Sequence, residues 1–191
     1  MANIDVIKAF DKAGALLKGH FSLSSGLHSG QYLQCALLLR YPQYAKRLCG
    51  KLATRFKHEK IDLVIGPAYG GIIVAHELAR ALNVRAIFTE RKDGLMQLRR
   101  NFSIRKGERV LVAEDVVTTG KSVKELIKAI RPYGPRIVGI AALIDRSGKS
   151  SPFGKIPFKG LKKINIKVYS PGKCPLCKQK VPLVKPGSRT K

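Results

Sequence analysis

Apolar residues recur at Ile4, Ile7, Phe10, Ala13, Leu16 and Leu17, close to one face at 3.6 residues per turn, and predict a helix over 4–17. The Gly- and Ser-rich run GHFSLSSGLHSGQYLQC (19–35) breaks that period and reads as a strand, a loop and a second strand. A second helix is predicted over 41–58, with Pro42 in its first turn, where a missing N–H leaves no bond unmade. From residue 61 short, continuous apolar runs alternate with helical stretches. IDLVIGPAYGG is a buried strand ending in a glycine-rich turn, 71–82 a helix, and VRAIFTERK the next strand. The polar, basic stretch 91–108 reads as a flexible loop. VLVA (110–113) is then a buried strand, 122–131 a helix, and RIVGIAALIDR (136–146) a further strand. Strands that are apolar throughout are covered on both sides. The alternation therefore predicts an α/β fold: an open, mainly parallel twisted sheet with helices on both faces.

The strand at 110–113 runs straight into two carboxylates, Glu114 and Asp115, at the sheet edge where open α/β folds build their sites. Val116 and Val117 follow, and then Thr118, Thr119, Gly120, Lys121 and Ser122 supply hydroxyls and free N–H groups at a helix start, which suits a phosphate. Paired acids beside a phosphate cradle point to a phosphorylated sugar. A nucleotide-binding P-loop is the obvious rival, because the segment contains Gly-Lys-Ser. That motif needs glycine where this chain has Asp115, whose charge would repel the phosphates. An ordinary strand-to-helix turn with hydroxyl caps explains the threonines but not two adjacent acids.

Length and charge narrow the class. At 191 residues with 45% hydrophobic content the chain suits one soluble domain, and no apolar run reaches membrane-spanning length. Acids at positions 5 and 11 exclude a secretory signal in the first segment, and four scattered cysteines suit a reducing cytoplasm. The net charge of +25 is extreme, and no acid follows Asp145. Such an excess makes a nucleic-acid partner possible. It is not favoured, because the basic residues are spread along the chain without a helix-turn-helix, RNA-recognition or zinc-finger spacing; a solvated basic surface accounts for them equally well. Cys174 and Cys177 form one CxxC, and His20, His28, His58 and His76 show no recognisable ligand spacing. A single pair does not make a zinc site, so no metal ligand is assigned in one chain. Two subunits pooling their pairs, or a redox dithiol, stay open as alternatives, and a structural role is preferred.

The strand, two acids, two aliphatics and Thr/Gly/Ser-rich loop at 110–122 resemble the signature of the type I phosphoribosyltransferases, whose donor is 5-phosphoribosyl-1-pyrophosphate (PRPP). Within them, SSGLHSG, IGPAYGG, FTERKDG, EDVVTTGKS, LIDRSG and the CPLC tail resemble the orotate phosphoribosyltransferases over nearly the whole chain. The resemblance implies one phosphoribosyltransferase domain over 1–191, with an N-terminal hood at 1–40, an α/β core at 41–170 and a basic tail at 171–191. It implies that Glu114 and Asp115 hold the ribose and that Val116 to Ser122, with Tyr69 and Gly70, bind the rest of PRPP. Arg91 and Lys92 would meet the leaving pyrophosphate, and Arg146 and Thr118 the orotate. Mg²⁺ as cofactor and a homodimer with shared sites also follow from it. Two lysines of the enteric form are replaced here by Ser24 and Gly70, and the loop beyond Lys92 lacks histidine, which leaves Arg99 and Arg100 as candidates for its charge. A purine-base phosphoribosyltransferase and a PRPP-sensing, nucleic-acid-binding regulator of the same fold are the alternatives.

Overall fold

The structure is a computed structural model and describes residues 4–23, 25–148 and 152–186. The chain forms two compact units, one from the N-terminus to Tyr41 together with Asn165 onward, the other from Pro42 to Ile164.

The first unit contains α1 (Val6–Lys12), β1 (Leu16–Ser22), β2 (His28–Leu33) and α2 (Cys35–Leu39). The second unit carries α3 (Pro42–Ala53), β3 (Leu63–Pro67), α4 (Gly70–Leu82), β4 (Arg85–Lys92), β5 (Leu95–Leu98), β6 (Arg109–Val117), α5 (Lys121–Ile130), β7 (Arg136–Asp145) and β8 (Phe158–Lys163). The chain then returns to the first unit as β9 (Val168–Tyr169), α6 (Pro175–Lys178) and β10 (Leu183–Val184). No helix among the described residues is long and apolar enough to cross a membrane.

In the first unit the sheet order is β10-β1-β2-β9, with β1 and β2 an antiparallel hairpin. The helix predicted over 4–17 stops early. Asp5 caps its start by accepting from the Ile7 and Lys8 amides, but Gly14 turns left-handed at φ 62° and the chain leaves as β1. Leu16 and Leu17 fit the helical period, yet their pairing with Leu33 and Tyr32 of β2 decides their structure.

The second unit has the predicted architecture, with sheet order β5-β4-β3-β6-β7-β8, parallel except for β5. Alternate residues of the central strands face opposite ways. Leu63, Ile65, Val110, Val112, Ile140 and Ala142 pack with Val123, Leu126 and Ile130 of α5. Val64, Leu111, Ala113, Ala141 and Leu143 are also fully buried and face the other side, where α3 and α4 lie. Two further elements depart from expectation. The stretch 91–108, read as a flexible loop, begins as the β4–β5 hairpin, with Arg91 opposite Met96. The helix predicted to 58 ends at Ala53 and tightens into a 3₁₀ turn over Thr54–Phe56.

Candidate active site

Strand order locates the site. From β3 the chain passes outward to β4 on one side, and from β6 it passes outward to β7 on the other. β3 and β6 are neighbours, so a crevice opens between the loops at their carboxyl ends, the usual ligand position in open α/β sheets. Glu114 and Asp115 lie at that end of β6, and Tyr69 and Gly70 lie just past β3.

The two acids differ in environment. Glu114 is buried, and its Oε1 accepts from the Asp115 amide at 3.1 Å. Asp115 is half-buried, and its Oδ1 accepts from the Val116 amide at 2.7 Å. Burial pushes the Asp115 carboxyl above its ordinary range, while hydrogen bonding with the Glu114 side chain and the Val116 amide opposes the rise.

The glycine pair after β3 is required by packing. A Cβ on Gly70 would come within 2.8 Å of Asp115 Cγ, and one on Gly71 within 2.6 Å of Pro67 Cδ and 3.3 Å of the Ala113 carbonyl. Glycine here lets the start of α4 approach β6 closely. The Ala68–Tyr69 peptide is cis, and Tyr69 is 79% exposed.

Beyond Val117, Thr118 and Thr119 are exposed, and α5 begins at Lys121 after Gly120, which sits left-handed at φ 73°. A Cβ on Gly120 would meet Phe153 Cε1 at 2.7 Å, so this turn admits only glycine. Val116 stays in the ladder opposite Ile144, and Val117 opposite Asp145. The amides at the start of the ten-residue α5 and the hydroxyls of Thr118, Thr119 and Ser122 are groups that can donate to an anion. Arg146 follows β7 directly, and its amide donates to the Val117 carbonyl at 2.8 Å. Its backbone is thereby tied to the strand end that carries the acids. Asp145, the residue before it, accepts from both the amide and the hydroxyl of Ser147.

The cationic candidates divide. Arg91, at the end of β4, pairs with Glu125 of α5 and donates to the Gly94 carbonyl at 2.7 Å. Lys92 is exposed. Arg99 and Arg100 both bind Glu90, at 3.0 and 2.9 Å, and Arg100 holds the Glu90 carboxyl below its usual range. They brace the hairpin here instead of offering free charge. Ser24 lies outside the described residues.

Sequence reading missed two things. Glu125 is invisible as a partner of Arg91 because 34 residues separate them. His20 and His28 come together with Cys174 and Cys177 within the first unit, where the spacing gave no sign of a group.

Comparisons with known proteins show the family and the fold. The family model described as a phosphoribosyl transferase domain matches residues 38–172. The chain is 54% identical to an orotate phosphoribosyltransferase of Caldanaerobacter subterraneus subsp. tengcongensis over 184 residues, 96% of each chain. It is 49% identical to one of Thermotoga maritima over 179 residues, 94% of this chain and 95% of the relative. Among solved structures, the orotate phosphoribosyltransferase of Aeropyrum pernix superposes with a TM-score of 0.69 at 27% identity, covering 84% of this chain and 94% of that one. Leishmania donovani UMP synthase superposes at 0.74 with 26% identity, covering 86% of this chain and 37% of that one.

Proposed function

The chain belongs to the orotate phosphoribosyltransferase family, and we propose that it carries out the transfer that name describes. N1 of orotate displaces pyrophosphate from the anomeric carbon of PRPP, giving orotidine 5′-monophosphate with inversion. The observation that carries this reading is the pair of acids at the β3/β6 crevice, flanked by the α5 cradle and by Arg146.

Glu114 and Asp115 hold the ribose hydroxyls and stabilise the positive charge that grows on the sugar as the bond to pyrophosphate stretches. The 5-phosphate sits on the amides and hydroxyls of Thr118 to Ser122. Tyr69 and Gly70 border the pyrophosphate, whose departing charge is met by Arg91 and Lys92. For that, Arg91 must exchange Glu125 for the phosphate oxygens. Arg146 grips the orotate carboxylate or carbonyl edge through two parallel N–H bonds, and Thr118 touches the base. Orotate is already anionic, so no strong general base is required.

Mg²⁺ fits this donor set, because hard carboxylate oxygens are grouped where phosphates also bind, and the ion takes one or two carboxylates together with phosphate oxygens. When bound it neutralises charge on the pyrophosphate. A homodimer, cytoplasmic location and a place in UMP synthesis complete the proposal. The test is product identification: orotate and PRPP with Mg²⁺ yield orotidine 5′-monophosphate and pyrophosphate in equal amounts. Absence of that nucleotide would sink the proposal.

A further inference from the structure

The first unit holds a cluster that the transfer chemistry does not use. His20 on β1, His28 on β2, and Cys174 and Cys177 around α6 bring one ligand atom each to within 4.8 Å of one another. From this we propose that the protein binds one structural zinc ion through His20 Nε2, His28 Nδ1 and the two cysteine sulfurs.

Four of the six separations are close to those a metal would impose. An ion about 2.3 Å from sulfur and about 2.0 Å from nitrogen, with tetrahedral angles, sets edges of about 3.3 Å between nitrogens and about 3.6 Å between nitrogen and sulfur. The two ring nitrogens lie 3.0 Å apart, and the Cys174 and Cys177 sulfurs lie 3.5 and 3.7 Å from His20 Nε2. Cys177 Sγ is 3.3 Å from His28 Nδ1. These four follow those edges to within a few tenths of an ångström, and the other two pairs lie within 4.8 Å.

The protonation state agrees. His20 Nδ1 lies 2.8 Å from the Val181 carbonyl, which can only accept. Nδ1 therefore carries the proton, and the lone pair of Nε2 points into the cluster. A backbone carbonyl on the far ring nitrogen is a common way to orient a zinc-bound histidine. His20, His28 and Cys174 are only 2%, 6% and 1% exposed, so the cluster is shut from water on most sides.

Local structure explains the convergence. Ser22 pairs with His28 across the hairpin, and His20 lies two residues earlier in β1, where the register shifts between Lys18 and Phe21. β10 pairs with β1, His20 facing Leu183, which lays the tail along the hairpin. Leu176 packs 3.7 Å from where a Cβ on Gly30 would stand. Two thiolates and two neutral imidazoles balance a dication, and this soft set selects zinc over magnesium. Four protein ligands close the sphere, which marks a structural rather than a catalytic ion. It would fasten the tail to a hairpin 154 residues away, a closure that restrains the unfolded chain.

The test is the metal content of the full chain, produced with zinc in the medium and measured by inductively coupled plasma mass spectrometry. About one zinc per chain is expected, with a drop of about tenfold or more in the Cys174→Ser/Cys177→Ser double variant and no drop in Cys35→Ala. Cobalt loaded into the wild-type chain should give the intense visible bands of a tetrahedral thiolate site, a reading that does not depend on any variant folding. Wild-type protein with no more zinc than the double variant would overturn the proposal. So would a pale, octahedral cobalt spectrum, or a Cys174–Cys177 disulfide in the zinc-supplemented protein.

Discussion

The Asp115 carboxylate occupies the space that any side chain at Gly70 would need, since a Cβ there would lie 2.8 Å from Asp115 Cγ. The turn after β3 and the acid at the end of β6 are thus fitted to each other across the crevice. Gly70→Ala must push Asp115 aside, and a misplacement of about 1 Å at a reacting centre costs about 100-fold. Steady-state kinetics should show a fall of that order in kcat/KM for PRPP, with little change in the melting temperature.

Asp115→Asn separates activity from stability. Loss of the charge that stabilises the developing cation should lower kcat by about 10²–10³-fold. The folded chain raises this carboxyl, so its stabilising contribution is complete below the ordinary Asp range and is lost as pH rises through the raised value. Above the ordinary Asp range the burial of this carboxyl therefore weighs against folding. The Asn variant should melt higher than wild type at pH 7.5, and the gain should shrink in acid. Thermal scans at the two pH values check this.

Arg91 is held by Glu125 in the free protein, an ion pair between partly exposed groups. Such pairs contribute up to about 1 kcal/mol, so Glu125→Gln should lower KM for PRPP by up to about fivefold. An unchanged or raised KM would show that Arg91 does not leave Glu125 for the substrate.

At the base of β6, burial pushes the Glu108 carboxyl up, but hydrogen bonds from Arg85 and the Arg105 amide outweigh it and hold it below its usual range. This lowered group contributes stability above the ordinary Glu range and loses it as pH falls through the folded value. Arg85→Ala should cost about 1–3 kcal/mol at pH 7 by leaving a buried acceptor short of partners. Urea titrations should find the difference from wild type fading in acid.

Burial raises the Cys49 thiol to about 12, so its thiolate is negligible at pH 8. Native protein treated with iodoacetamide and mapped by mass spectrometry should carry no label at Cys49 until it is unfolded.

The run from Val110 to Ser122 is legible in the sequence because one strand brings its own apolar core, its acids and its hydroxyl- and glycine-bearing turn in consecutive residues. Arg146 is legible for a related reason: it directly follows the next strand, and its amide bonds to the Val117 carbonyl. Where contacts join distant residues the pattern is silent. Leu16 and Leu17 carry a helical period, but Gly14 ends the helix and pairing with β2 decides. Arg99 and Arg100 look like a free basic loop until Glu90 is seen between them. The His–Cys cluster depends on a tail returning to a hairpin across most of the chain, which no local spacing records.

The most direct test of the central claim is to follow orotate absorbance with PRPP and Mg²⁺, wild type beside Asp115→Asn, with adenine, guanine, xanthine and uracil in parallel. Wild type should consume orotate only when PRPP is present and leave the other bases unchanged, and the variant should be slower by two to three orders of magnitude, about the loss expected for a removed charge stabiliser. No loss of orotate at any concentration of wild-type enzyme, or turnover of a purine in its place, would contradict the assignment.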